Sequence, residues 1–539
     1  MTVAPCVMLQ GTASGVGKSL LTAALCRIFA RQGHRVAPFK AQNMSLNSAV
    51  TADGREIGRA QAAQAEAAGI EPTVDMNPIL LKPEADDRSQ VIVRGAPVGS
   101  LTFGEYGRRR GELLPVVAES LDRLRRTYDL LIIEGAGSPA EINLAEGDIV
   151  NMRIARLADA PVLLVGDIDR GGVFAAFVGT LELLDPDDRA RVAGFIVNKF
   201  RGDVSILAPG LEALVRRTAV PVLGIVPYLD RHLVPAEDSL DLDDLPPSPG
   251  LRVLEIAVVR LPRIANFDDF EPLAREPGVG VRFARSAADL AAADLIVLPG
   301  SKGTIADLDW LRATGLADAI VAAARRKVAV LGICGGYQML GRTLHDPDRV
   351  ESPVATAPGL GLLPVVTTFA PTKTTVRVRA RAGAAIGPFG GIAGADLSAY
   401  EIHMGASEVG EALRPFVVAE RSGRPADDRE GAMSGDGTVL GTYLHGLFAN
   451  DALRRALLLY LARRKGASPD ARWGAPQSPA ARYDRLADAV AAAVDVAAVS
   501  PSTSSSATRR TAGTPWPGSA ARSAPGAAGS PKDRRPGCW

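Results

Sequence analysis

Cysteine is scarce: the 539 residues hold only Cys6, Cys26, Cys334 and Cys538, with no Cys-x-x-Cys pair and no histidine at metal-site spacing. That scarcity excludes a disulfide framework and a structural zinc site, and it points to a reducing cytoplasm. No run approaches the ~20 apolar residues that span a bilayer. The start, MTVAPCVMLQG, lacks the basic stretch of a secretory signal and runs straight into a strand-like segment. Charge of one sign is missing as well: 61 Lys+Arg against 60 Asp+Glu leave +1, so no overall field draws nucleic acid or an anionic membrane. Aromatics make up 5% and form no basic-aromatic stretch, which also disfavours a nucleic-acid binder. Small-molecule partners are expected. The segment 501–539 contains no Leu, Ile, Val, Phe or Met; it cannot bury a core and is expected to be disordered.

What is present is an ordinary globular balance, 47% hydrophobic and 22% charged, in a chain long enough for roughly two to four domains. Through residues 1–236 short apolar runs such as DLLIIEGAG, PVLLVGDID and GFIVNKF alternate with helical patterns. This predicts a doubly wound α/β sheet. The acidic, then proline-rich stretch 237–250 reads as a linker. A second α/β unit is expected over 251–465, a helical extension over 466–500, and the tail after it.

The segment VMLQGTASGVGKSLLTAALCRIFARQG supplies a strand, a glycine-rich turn and a helix, the context a phosphate-binding loop requires. Backbone N–H groups over Thr12, Gly15, Val16 and Gly17 would hold nucleotide phosphates. Lys18 would reach the transferred phosphate and Ser19 would ligate Mg²⁺. Gly11 stands one residue further from Gly17 than the usual spacing. Glu134, ending the apolar run LLIIE, is a second metal ligand or a carboxylate capping the next turn; Asp53 in TADG is a weaker ligand candidate and equally a good turn residue.

In KVAVLGICGGYQMLG, Cys334 follows an apolar strand and precedes Gly335-Gly336 and a helical pattern. Such a turn exposes a thiol at a helix N-terminus and favours the nucleophilic thiolate. A free cysteine is otherwise commonly a small core residue. The N–H groups of Gly335 and of the PGSKG turn at Gly300 and Ser301 could form an oxyanion hole. His445 in GTYLHGLF is the expected base, although it, like His403 in YEIHMG, could be a satisfied strand-end histidine. Two residues beyond His445, where many glutamine amidotransferases carry a carboxylate, stands Leu447. Nothing in the sequence identifies a third group.

The ordered motifs LQGTASGVGKS, FKAQNMSLNS, EIGRAQAAQA, MNPILLKP, EGAGSPAEINL, GDIDRGGVFA, NKFRGD, LPGSKGT, GICGGYQMLG, YEIHMG and YLHGLF closely resemble those of the cobyric acid synthase family, over about residues 3–460. The shifted Gly11 and the EGAG segment also look like dethiobiotin synthetase, a smaller relative. The resemblance implies a phosphate-binding-loop synthetase domain followed by a class I glutamine amidotransferase-like domain. It implies ATP- and glutamine-dependent amidation of the b, d, e and g carboxylates of adenosylcobyrinic acid a,c-diamide, through acyl phosphates. By the same resemblance Asn198 would contact adenine, Lys40, Gln42, Asn43 and Asn47 would lie near the corrinoid, and the missing triad carboxylate would be a family trait. Competing readings are cobyrinic acid a,c-diamide synthase, a partition-type ATPase and a binding module without catalysis. FKAQNMSLNS and GDIDRGGVFA speak against the first, the lysine-free stretch Gly11 to Val16 against the second, and intact Lys18, Cys334 and His445 against the third.

Overall fold

The structure, a computed structural model, describes residues 3–229, 233–235, 252–384 and 386–500. The expected linker 237–250 and tail 501–539 lie outside the described residues. Among the described residues no helix is long and apolar enough to cross a membrane.

The first unit is built on a parallel six-stranded sheet, in spatial order Val222–Pro227, Val192–Phe200, Val162–Asp167, Cys6–Gly11, Leu130–Glu134 and Val36–Phe39. Its central strands CVMLQG and LLIIE are buried at every position, because helices cover both faces of a parallel sheet. Cys6–Gly11 lies between Leu130–Glu134 and Val162–Asp167, and its register sets Leu9 beside Glu134. The turn after Gly11 therefore opens beside the end of the neighbouring strand, where sheets of this kind place ligands.

The alternating α/β reading omitted a four-stranded sheet made of Gln42–Met44, Ile79–Ala85, Arg88–Val93 and Ala96–Thr102. Its last three strands run antiparallel in sequence, so short turns suffice where a parallel sheet needs crossovers.

The second unit repeats the parallel plan with Val279–Ala284, Leu254–Val259, Leu295–Leu298, Ala329–Ile333 and Val439–Thr442, edged by antiparallel Ala432–Met433. Beside it stands a mostly antiparallel sheet centred on the long pair Val365–Ala382 and Asp396–Val409. The helical segment expected near the C-terminus returns to the first unit. Helix Pro479–Ala491 lies on helix Lys18–Arg31; Tyr483, Leu486 and Val490 join that unit's core, and Arg27 grips Asp484 through two bonds of 2.9 and 3.1 Å.

The two units meet along a charged seam. Glu56, buried in the first, takes Lys82 of its own unit at 2.7 Å and Lys373 of the second at 2.5 Å. Glu84 binds Lys302 at 2.8 Å, and Arg59 faces Asp268 at 2.9 Å.

Candidate active sites

At the first site, helix Lys18–Arg31 begins at Gly17 (φ 100°) with no side chain capping its N-terminus. A helix N-terminus after a glycine-rich turn is where an anion binds. A Cβ on Gly11 would meet Val16, Ala13 O and Lys18 Nζ at 2.7 to 2.9 Å. The shifted glycine therefore still serves close approach, one residue earlier. The Thr12 N–H donates to Val165 O at 2.9 Å, fixing the loop's entry. Lys18 Nζ spans the loop, donating to Ala13 O at 3.0 Å and Gly137 O at 3.1 Å.

Glu134 is buried and receives Ser19 Oγ and Lys40 Nζ on Oε1, both at 2.9 Å, and Gln64 Nε2 on Oε2 at 2.5 Å. Ser19 and Glu134, paired from sequence, thus converge; Lys40, assigned to the corrinoid, is in contact with Glu134. Asn198 lies under Gly17 and donates to Val16 O at 2.7 Å. Gln42 accepts from the Tyr106 hydroxyl at 2.5 Å, and Asn43 donates to Gln61 at 3.0 Å.

Asp53 departs from its expected place, and Asn47 is engaged at the seam between the units. Asp53 bonds Thr51 and pairs with Arg55 in an exposed turn whose Gly54 abuts Thr375 and Ser422 of the second unit; its turn-forming chemistry prevails, and it is not brought to Ser19 and Glu134. Asn47 is fully buried in the seam, where its Oδ1 accepts the Phe267 N–H at 3.2 Å.

At the second site, Cys334 joins strand Ala329–Ile333 to helix Gly335–Leu340 with φ 52° and ψ −111°. A side-chain-bearing residue is costly there, and such strain gathers at functional turns. Its N–H is tied to Thr442 O at 2.8 Å, and Sγ faces Ile402 O at 3.5 Å. Gly335 packs so closely on Ser301 that a Cβ would meet the Ser301 nitrogen at 2.9 Å, and a Cβ on Gly300 would meet His445 Cε1 at 3.3 Å. Of the elements named from sequence, Cys334, Gly300, Ser301 and His445 therefore line one pocket, which Lys82 of the first unit also lines, and Gly335 packs against Ser301. His403 lines it too and stacks on Tyr443 at 3.8 Å.

The group that sequence reasoning missed is Asp269. Its Oδ2 lies 2.7 Å from His445 Nδ1, and its Oδ1 accepts the Gly446 N–H at 2.8 Å. The third group that the sequence left unidentified is thus a carboxylate, supplied by another segment. Burial disfavours a charged His445 ring, yet the adjacent Asp269 charge and hydrogen bond, with a smaller contribution from Cys334, outweigh it and push the pKa up to about 10. Tyr400 stacks on the imidazole, ring centres 5.3 Å apart. Asp269 itself sits against the first unit: Asn266 bonds the Ser48 backbone, Phe267 bonds Asn47, and Asp268 faces Arg59.

Residues 7–239 match the family described as "CobQ/CobB/MinD/ParA nucleotide binding domain" and residues 255–453 the "CobB/CobQ-like glutamine amidotransferase domain". Among curated proteins, the cobyric acid synthase of Sorangium cellulosum (strain So ce56) is 58% identical over 504 residues, covering 91% of this chain and 96% of that protein. Cobyric acid synthases of Moorella thermoacetica (strain ATCC 39073 / JCM 9320) and Dehalococcoides mccartyi (strain CBDB1) are 53% and 50% identical, over 86% and 92% of this chain. Likeness at this level across both units settles the family: the chain belongs to the cobyric acid synthases.

Proposed function

We propose that the protein amidates the b, d, e and g carboxylates of adenosylcobyrinic acid a,c-diamide, consuming one ATP and one glutamine per amide. The carrying observation is that one chain of this family holds both a phosphate-binding loop with Lys18, Ser19 and Glu134 together and a Cys334 turn with His445 and Asp269 together.

At the first site the backbone N–H groups of Gly15 to Lys18 and the Lys18 ammonium bind the ATP phosphates and stabilise charge developing on the transferred group. A corrinoid carboxylate oxygen attacks the γ-phosphorus, the bond to ADP breaks, and an acyl phosphate forms. The Ser19 hydroxyl and the Glu134 carboxylate, 2.9 Å apart, are hard oxygen donors that fit Mg²⁺. When bound, that ion neutralises phosphate charge. Lys40, Gln42 and Asn43 face the corrinoid side in this reading, and Asn198 serves adenine from beneath the loop.

At the second site Cys334 Sγ attacks the glutamine carboxamide carbon while the N–H groups of Gly335 and Ser301 hold the oxyanion. His445, oriented by Asp269, gives a proton to the departing nitrogen; ammonia leaves and water cleaves the thioester to glutamate. Ammonia then attacks the acyl phosphate, forming the amide and releasing phosphate. Mass spectrometry of the corrinoid after incubation with ATP-Mg²⁺ and glutamine tests this reading: stepwise gain of four amides is expected, and an unchanged corrinoid would refute the substrate.

A further inference from the structure

One buried carboxylate beside the second site takes no part in the steps above. Asp307 stands in the first turn of helix Thr304–Ala313 and is 1% exposed. An acidic residue in a first turn ordinarily stays at the surface, where it already favours the helix dipole. Here the side chain turns inward instead. Its Oδ2 accepts the Ser301 hydroxyl at 2.6 Å and the Arg263 N–H at 3.3 Å, while Oδ1 is buried and has no hydrogen-bond partner among the described residues. Burial pushes the carboxyl up to about 6. Native sites that tolerate so unfavourable a placement have a reason for it.

The reason lies in what Asp307 grips. Ser301 pairs with Ile264 and Gly300 with Ala265 in a two-stranded ribbon separate from the parallel sheet. A ladder of two residues is too short to hold itself. One strand is anchored on its own account. Beyond Ala265 come Asn266 and Phe267, bonded to Ser48 and Asn47 of the first unit, and Asp269, bonded to His445. The other strand carries Ser301 into the pocket. Asp307 ties this strand to the anchored one at Arg263, and Ser301 Oγ in turn accepts the Gly303 N–H at 3.0 Å.

Resting on the glutaminase reading of this pocket, we propose that Asp307 is a positioning residue: its clasp on Ser301 and Arg263 fixes the Ser301 N–H, relative to His445, where the oxyanion forms. Asp307 touches no reacting atom and acts through the Ser301 backbone. A donor of this kind works on charge that develops in the transition state, so its misplacement lowers kcat and spares KM.

The test uses three variants of the full-length enzyme. Asp307→Ala removes the clasp, Asp307→Asn keeps an oxygen for it, and Ser301→Ala removes the clasped hydroxyl while keeping the N–H. D307A and S301A should each lose roughly 10- to 100-fold in kcat for glutamine hydrolysis, less than the ~10²–10³ lost with an entire oxyanion donor, and KM should hold. D307N should stay within about threefold of wild type. Two further readouts in D307A separate positioning from structure. Ammonia-supported amidation should be unchanged. Alkylation of Cys334 by iodoacetamide should also run at the wild-type rate, because displacement of iodide by Sγ builds no oxyanion. Parallel losses in alkylation and hydrolysis would make Asp307 a structural clip only and overturn the proposal. Wild-type kcat in S301A would overturn it too, and that variant tests the clasp even where D307A does not fold. So would D307N as slow as D307A, which would assign the effect to charge. Failure of the underlying reading looks different: Cys334→Ala would retain glutaminase activity.

Discussion

Replacing Asp269 with asparagine tests how the glutaminase histidine is set. The side chain keeps its shape and can still accept the Gly446 N–H, but its charge disappears beside a buried ring. The pKa of His445 rises from 6.5 to about 10; converted at about 1.4 kcal/mol per pKa step, that shift caps the pair's worth at about 5 kcal/mol. Breaking a buried pair costs about 3–5 kcal/mol by general experience, in agreement. Only the part that grows in the transition state affects rate. The ring is already protonated at neutral pH, so the catalytic loss should fall below the ~10⁴ seen when a serine protease triad loses its carboxylate charge. Glutamate release should drop roughly 100-fold, with ammonia-supported amidation intact. The pH dependence has a definite sign. A raised folded pKa adds stability that is complete below pH 6.5 and disappears as pH rises through about 10, so the wild-type advantage over D269N in urea should shrink across that window. The basic limb of the glutaminase profile should move to lower pH in the variant. A D269N enzyme within about threefold of wild type, with an unshifted profile, would refute the orienting role and leave Asp269 as a clip for Gly446.

Cys334→Ala should abolish glutamine-supported amidation and spare the ammonia-supported reaction, whereas Lys18→Ala should stop both; amide formation from each nitrogen source, read by mass spectrometry, checks the split. Glu56→Gln leaves Lys82 and Lys373 buried without a counter-ion and should cost about 3–5 kcal/mol in urea unfolding at pH 7. Lys373 and Lys82 outweigh burial and hold Glu56 well below the usual carboxylate range, so the gap should be full above pH 4.5 and close as pH falls below it. Arg59→Ala strands Asp268, which burial already raises to about 7 despite Arg59; the destabilisation should be larger at pH 8, where the carboxylate is ionised, than at pH 6.

Both loops were legible because each is local: an apolar strand, a tight turn and a helix follow one another within about twenty residues, and the parallel sheet puts the turn at its ligand-binding edge. Lys18 and Cys334 needed no distant partner to be recognised. The omitted four-stranded sheet does leave a trace, since RSQVIV between turn-forming ADD and RG has strand character. Asp269 left almost none. It lies 176 residues from His445 within FDDF, which reads as an exposed acidic turn, and the local position where a third carboxylate was sought holds Leu447.

Asp269 shares that illegibility with Asn47, Arg59, Glu56 and Lys373, and the cause is common to them. Each belongs to one unit and finds a partner in the other or beside the seam, so reading the units separately leaves it apparently surplus. Burial is what such residues have in common: Lys82 sits within ILLKP, an apolar strand that should not tolerate a charge without a counter-ion, and Glu56 precedes the buried Ile57. A lysine inside a buried strand implies a carboxylate, and the absence of one at strand or helix spacing implies that it comes from elsewhere. Helix Arg59–Ala68 gives the same argument a direction. Its Gln64 reaches Glu134 at the nucleotide side, while Arg59, at its first turn, faces Asp268 beside the Asp269–His445 pair. The polar residues of EIGRAQAAQA are thus committed at both ends, to the phosphate site at one and the seam at the other, which explains why so alanine-rich a helix carries glutamines that are completely buried.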